Sequence, residues 1–289
     1  MNAAPSFKNI AILAHRRVED AMAEADTVGA YLQERGIQTA FAEMSDTGLR
    51  SRLEANEFDL VITLGGDGTV LRAGHLCAPV NVPILAINFG AFGFLIEVQG
   101  DEWSTALDKL LAGDYWIERR MLLQAEHMRG DESLGCWQVV NDAAISRGHI
   151  VRPVHLTVRL DDHTLTTYVA DALILSTPTG STAYAMAAGG PVLPPELRNI
   201  LLVPVAPHLS IDRAIVLAEG SDISVLVRSD HEAILSVDGK QPITLEQGDK
   251  VNVRVSEHTL QFVRFQDANY FYRNLVGLMD QNPSAGDRE

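Results

Sequence analysis

Gly65-Gly66-Asp67-Gly68-Thr69 is the stretch of this sequence best equipped for chemistry. The apolar run from Phe58 to Leu64 enters it as a buried strand, and Val70-Leu71-Arg72-Ala73-Gly74-His75-Leu76 leaves it as the start of a helix. A loop that leaves a strand and opens a helix points backbone N–H groups outward, and its glycines let a phosphate approach with no Cβ in the way. Asp67 puts a carboxylate beside that cradle. A carboxylate repels phosphate at rest, so it makes sense there if it accepts a proton from an attacking hydroxyl or works with Mg²⁺. The spacing therefore points to phosphoryl transfer. The plain alternative is a turn, since Gly-Gly and Asp-Gly are ordinary turn pairs.

A second loop follows the apolar run Leu173-Ile174-Leu175: Ser176-Thr177-Pro178-Thr179-Gly180-Ser181-Thr182-Ala183-Tyr184, then Gly189-Gly190-Pro191. A strand ends, Pro178 and Gly180 shape a turn, and Ser181 and Thr182 are expected to cap a short helix whose N–H groups face a second anion or polar ligand. A capped helix start without a ligand is the alternative. Ser181 has no Gly-x-Ser-x-Gly elbow around it, which counts against a serine nucleophile.

The elements that must position these loops differ between the two halves. Up to about residue 115, strands alternate with helices: Asn9 to Ala14, a helix from Val18 to Glu34 closed by Gly36, Ile37 to Ala42, 58–64, 82–87, and a helix from Trp103 to Leu111 ended by Gly113. That is a doubly wound α/β pattern with sites at the carboxyl ends of its strands. Beyond residue 117 the texture is mostly β. Val154 to Leu160 and Leu165 to Val169 flank Asp161-Asp162-His163-Thr164 as a hairpin, and Ile223 to Arg228, Ala233 to Val237 and Val251 to Val255 read as strands. Asn269 to Met279 reads as a helix that packs back on the first domain. The expected domains are thus 1–116, 117–265 and a returning segment 266–289.

Composition narrows the partners. The 289 residues are 46% hydrophobic, enough for a sizeable core and long for one domain. No stretch approaches the roughly 18 apolar residues of a membrane span, and Met1-Asn2-Ala3-Ala4-Pro5-Ser6 lacks the order of a signal peptide, so a cytoplasmic protein is expected. Cys77 and Cys136 suit reduced thiols, and nine scattered histidines offer no zinc-site spacing. A net charge of −15 repels nucleic-acid backbones and anionic membranes. A small phosphate ligand is still admissible, because local N–H groups, arginines and Mg²⁺ outweigh the overall field within about one Debye length, roughly 8 Å.

Taken together, the chain resembles the NAD kinase family, of the bacterial ATP-NAD kinase type. The resemblance rests on Gly65 to Thr69, Asn88-Phe89-Gly90-Ala91-Phe92-Gly93-Phe94-Leu95, Asn141-Asp142, Thr177 to Tyr184, Gly189-Gly190-Pro191 and Ser236-Val237-Asp238-Gly239, in the family's order over most of the chain. The first motif alone is shared with diacylglycerol kinases, sphingosine kinases and phosphofructokinase-like enzymes; Thr-Pro-Thr-Gly-Ser-Thr-Ala-Tyr is close to diagnostic. The resemblance implies transfer of a phosphoryl group from ATP, or polyphosphate, with Mg²⁺ or another divalent cation, to the 2′-hydroxyl of the adenosine ribose of NAD, giving NADP. It implies an α/β domain joined to a β-rich domain, in a homodimer or homotetramer.

Position by position, the resemblance makes Asp67 the general base and Gly68 its neighbouring backbone contact. Arg72 falls where many members carry a basic residue, and Phe94 matches an aromatic of the nucleotide pocket. Asn141 and Asp142 match an Asn-Glu pair that contacts NAD, with the glutamate shortened by a methylene. Asp171 matches an aspartate usually flanked by glycine, but sits here in Ala170-Asp171-Ala172, where the backbone is expected to differ. Thr182, Ala183 and Tyr184 match contacts to the adenine end, Ala187 replaces a frequent serine, and Arg152 and Lys240 stand where relatives carry polar ligands to the dinucleotide. Two competing readings are a lipid kinase built on the same glycine loop and a non-catalytic dinucleotide sensor; the first leaves the second motif without a place, and the second is opposed by the retained Asp67.

Overall fold

Strands that are apolar along their whole length belong in sheets covered on both faces. The computed structural model, which describes residues 7–14, 19–43, 47–90, 93–149, 151–161, 163–208, 211–272 and 275, places two such strands at the centre of its first unit. That unit comprises residues 1–119 and 259–289, and residues 120–258 form the second.

In the first unit the elements run β1 (Asn9–Ala14), α1 (Glu19–Gln33), β2 (Gln38–Glu43), α2 (Thr47–Glu54), β3 (Leu60–Gly65), α3 (Asp67–Cys77), β4 (Ile84–Asn88), β5 (Val98–Gln99) and α4 (Trp103–Ala112). The sheet order is β2-β1-β3-β4, parallel throughout, with Ile12 opposite both Phe41 and Ile62, and Ile62 opposite Leu85. Ile10, Ile12, Leu60, Ile62, Leu64, Leu85 and Ile87 close over Val28 and Leu32 of α1 and Leu107 and Leu110 of α4. Gly36 and Gly113, at φ of 81° and 77°, end α1 and α4 in the left-handed conformation that glycine adopts most cheaply. Because β3 ends at Gly65 and α3 begins at Asp67, the acid of the glycine loop sits at the carboxyl end of a central strand.

Helix α2 has no counterpart among the expected elements. It is eight residues long, and its two apolar side chains, Leu49 and Leu53, are both buried one turn apart. So short a segment carries too little periodicity to announce itself. The helix expected over 269–279 is helical at residues 270–272 and 275, and the rest lies outside the described residues. Tyr270 and Phe271 are buried and belong to the first unit.

The chain enters the second unit within β6 (Trp116–Arg129) and continues through β7 (Glu132–Val139), β8 (Asp142–Arg147), β9 (Val154–Leu160), β10 (His163–Ala170), β11 (Ala172–Ser176), α5 (Tyr184–Ala187), β12 (Asn199–Val205), β13 (Ile215–Ala218), β14 (Ile223–Val227), β15 (Ala233–Val237) and β16 (Ile243–Leu245). It leaves again within β17 (Lys250–Arg264). One sheet has the order β13-β12-β11-β8-β15-β16, all antiparallel. Its Ala143, Ile145, Leu173 and Leu175 pack against Leu156, Val158, Val225 and Val251 from β9, β14 and β17. Its other face, with Ala144, Ile174, Leu201 and Val203, is covered by Ala185 and Leu193. Burial on both faces explains why Ala172 to Ser176 has no polar alternation, and it fixes the segment that follows β11 against the sheet.

The hairpin β9–β10 is tighter than its sequence suggests. β10 begins at His163, so the turn is two residues rather than four, and Asp161 enters it at φ of 45°, a conformation aspartate tolerates. No helix among the described residues is long and apolar enough to cross a membrane.

Candidate active site

In the first unit the site grows from the junction of β3 and α3. Gly66 occupies the N-cap position of α3 and provides no side-chain cap; its carbonyl accepts from Thr69 N at 2.8 Å and closes the first turn. Asp67 is the first helical residue. Its carboxylate is held from the 93–95 loop: Phe94 N donates to Oδ2 at 2.7 Å and Leu95 N to Oδ1 at 3.1 Å. Hydrogen bonds to an ionised acceptor stabilise by on the order of 1.5–3 kcal/mol each, enough to fix the side chain in one rotamer. Gly93 is what admits it. A Cβ there would lie 2.2 Å from Asp67 Oδ1, closer than any real contact.

Around this pair, Gly68 is exposed, and Arg72, one turn further along α3, donates Nε back to the Gly68 carbonyl at 3.0 Å with its side chain in solvent. Phe94 is half-buried and enters the site through its backbone N–H. Asn88 closes the start of the next loop, accepting from Gly90 N at 3.2 Å and donating to Gln99 Oε1 at 3.1 Å.

The second unit carries an independent constellation. Asp238 and Gly239 turn just after β15 at φ of 50° and 66°, closed by Lys240 N donating to Val237 O at 3.0 Å, a tight turn with positive φ at both central positions in the five-residue connection to β16. From the Val237–Lys240 turn the Asp238 carboxylate accepts three backbone N–H groups: Val140 at 2.9 Å, Asn141 at 2.7 Å and Asp142 at 3.1 Å. The Asn141 carbonyl in turn accepts from Thr177 N at 2.9 Å and Ser176 Oγ at 3.0 Å. A Cβ on Gly180 would lie 2.1 Å from that same carbonyl, so the loop after β11 closes on Asn141 only because residue 180 is glycine.

Asp142 opens β8 with 7% of its surface exposed. Burial pushes its carboxyl up to about 7, the neighbouring Asp238 charge pushes the same way, and a hydrogen bond from the Tyr184 N–H partly opposes both. Tyr184, at the start of α5, leaves 44% of its side chain exposed. Thr182 and Ala183 are half-buried beside it and Ala187 is exposed on the next turn. Asn141, Asp142, Tyr184 and the Asp238 turn are thus one hydrogen-bonded group.

Ser181 and Thr182 do not cap a helix. The residues form a 3-10 turn followed by the four-residue α5, neither with a side-chain cap. Ser181, completely buried, donates to Pro178 O at 2.7 Å and accepts from Leu193 N at 2.9 Å, and Thr182 Oγ1 bonds Thr179 O at 3.3 Å. Both hydroxyls staple the loop to itself. Asp171 lies at the far end of β11, about 17 Å along the strand from Ser176. It pairs with Arg147 at 3.4 Å, and the flanking alanines sit in β10 and β11 without positive φ, so glycine is not needed there. Arg152 is exposed near Asp230, and Lys240 is exposed beside the Asp238 turn. The structure therefore joins Asn141, Asp142, Tyr184 and Lys240 at one end of the sheet and leaves Asp171 and Arg152 apart from them. Asp238, which ties residues 140–142 together, is not among the site residues expected from the sequence, although its Asp-Gly pair is a turn signal there.

Among the described residues, no three His, Cys, Asp or Glu side chains gather as a metal site. Residues 17–115 match the family model described as ATP-NAD kinase N-terminal domain, and residues 140–265 that of the ATP-NAD kinase C-terminal domain. The chain is similar to a Chloroflexus aurantiacus NAD kinase, 42% identical over 85% of this chain and 89% of the relative, and to a Dehalococcoides mccartyi NAD kinase, 37% identical over 98% and 100%. In fold it is similar to a yeast NADH kinase complexed with NADH, with a TM-score of 0.84 at 24% identity over 99% of this chain and 89% of that one. A second fold neighbour is an Archaeoglobus fulgidus NAD kinase in complex with ATP, with a TM-score of 0.77 at 24% identity over 94% and 99%.

Proposed function

The chain belongs to the NAD kinase family, and on that premise we propose how its residues divide the transfer of a phosphoryl group from ATP to NAD. Asp67 accepts the proton of the 2′-hydroxyl of the adenosine ribose as that oxygen bonds the γ-phosphorus and the bond to ADP breaks, giving NADP. The observation that carries this role is the clamp on its carboxylate by Phe94 and Leu95 N–H at the uncapped start of α3. Two N–H bonds hold the carboxylate in one orientation, and an ionised carboxylate is acceptor-only, the form that can take a hydroxyl proton. Gly68 and the first N–H groups of α3 receive phosphate, and Arg72 adds a positive charge one turn along.

In the second unit, Asn141 and Asp142 hold ribose hydroxyls, Tyr184 stacks on the adenine end, and Thr182, Ala183, Ala187 and Lys240 complete that unit's contacts to the dinucleotide. Asp171 and Arg152 serve the dinucleotide away from this group. A divalent cation fits as a companion of the ATP phosphates, and it would draw charge off the phosphate oxygens. Family membership removes the lipid-kinase reading. We further assign the protein to the cytoplasm as a homodimer or homotetramer; its two free thiols, Cys77 and Cys136, suit a reducing compartment.

The test is NADP formation by the purified protein from NAD and ATP, with Mg²⁺ or with excess chelator. NADP should form with the cation and stop without it. Undiminished turnover in chelator overturns the divalent-cation role.

A further inference from the structure

The loop that clamps Asp67 is itself strapped to the returning strand of the same unit. Leu95 is held at both ends of its backbone: its N–H goes to Asp67, and its carbonyl accepts from Arg264 Nη2 at 3.1 Å. Arg264 is 1% exposed, donates Nε to Glu118 Oε2 at 2.7 Å, and stacks 4.5 Å from the Phe262 ring. Two residues beyond Leu95, the Glu97 carboxylate accepts Gln266 N at 2.6 Å and Phe265 N at 3.2 Å. Residues 95 and 97 are thus tied to residues 264–266 at two points.

A buried ion pair contributes little net stability over apolar packing of the same volume, because both charges must be desolvated. Its value lies in fixed geometry. Here the rigid guanidinium fork spends one arm on Glu118 and another on the carbonyl of Leu95, the residue whose own N–H is half of the Asp67 clamp. We propose that Glu97 and Arg264 are positioning residues for phosphoryl transfer: they hold the 93–97 loop so that Phe94 and Leu95 N–H aim the Asp67 carboxylate. The inference rests on the reading of Asp67 as the reacting carboxylate. Neither residue touches substrate on this account, so each acts on kcat and leaves the affinity for NAD alone.

The experiment compares Glu97→Ala, Glu97→Gln, Asp67→Ala and the double variant Glu97→Ala/Asp67→Ala, with kcat and KM for NAD measured on each folded preparation. Glu97→Ala should lower kcat about tenfold with KM within twofold, in line with the cost of a misplaced catalytic group. Glu97→Gln keeps an acceptor for both N–H groups and should recover most of that rate. In the Asp67→Ala background the Glu97 change should alter the residual rate less than twofold, since no carboxylate is left to aim. If the alanine chain does not fold, Glu97→Asp, with the charge kept and the reach shortened, reads the same quantity, and Arg264→Lys, which loses the fork, should likewise lower kcat at unchanged KM. Wild-type kcat in Glu97→Ala or Glu97→Asp, or an equal loss in the presence and absence of Asp67, overturns the positioning role. If Asp67→Ala itself keeps full turnover, it is the role of Asp67 that fails.

Discussion

Gly93 and Asp67 share a space that holds only one of two things, a Cβ or a carboxylate oxygen: a methyl on Gly93 would stand 2.2 Å from Asp67 Oδ1. Gly93→Ala must therefore push the carboxylate out of its two N–H bonds. The expected result is a folded protein whose kcat falls about 10²-fold, the scale of a displacement near 1 Å at a reacting group. Steady-state kinetics with a melting curve checks it, and wild-type kcat would show that the clamp is dispensable.

Asp142 predicts a pH dependence with a definite sign. Its folded pKa, raised to about 7 by burial and by Asp238, lies above its unfolded value, so the folded state binds more protons between about pH 4 and 7. Stability contributed by this group is present at low pH and falls as pH rises through that window. Ligand binding runs the other way, because ribose hydroxyls donate to the ionised form. The affinity for NAD should rise about tenfold from pH 6 to pH 8. Calorimetry at both pH values checks this, with Asp142→Asn expected to be flat across the range.

Asp238→Ala should destabilise strongly, on the order of 3 kcal/mol, since three backbone N–H groups of residues 140–142 lose their shared acceptor. Asp238→Asn keeps an acceptor and tolerates positive φ, so it should fold with a smaller loss and lower the Asp142 midpoint by removing the facing charge. Denaturant midpoints and the pH dependence of NAD affinity read the two effects separately.

Tyr184 is nearly half exposed, so its ring contributes little to the core. Tyr184→Ala should leave stability within about 0.5 kcal/mol, while NAD binding weakens by roughly 1–2 kcal/mol through loss of a stacking face. A melting shift with unchanged affinity would assign the ring to the fold instead.

Much of this was legible in the sequence where the signal is local. The run into Gly65 and the start of α3 are set by apolar content, glycine and the strand-to-helix switch, and Asp67 stands at their junction. Helix α2 escaped because, among its described side chains, Leu49 and Leu53 carry its buried face. The error at Ser181 has a different cause. A hydroxyl before a short helix reads as a cap, but its true partner is Leu193, twelve residues on, and only the packed segment over β11 brings them together. Asp238 was passed over for the same reason: its work is done on residues about a hundred positions earlier.

In the proposed division of roles, Asp67 carries the chemistry and contributes little to holding NAD. The most direct measurement is NADP formation and calorimetric NAD affinity on one preparation of Asp67→Asn beside the wild type. Asp67→Asn should fold, bind NAD within a few-fold of wild type and turn over about 10²-fold or more slowly, the scale of a lost general base. Near-normal turnover in Asp67→Asn would contradict it.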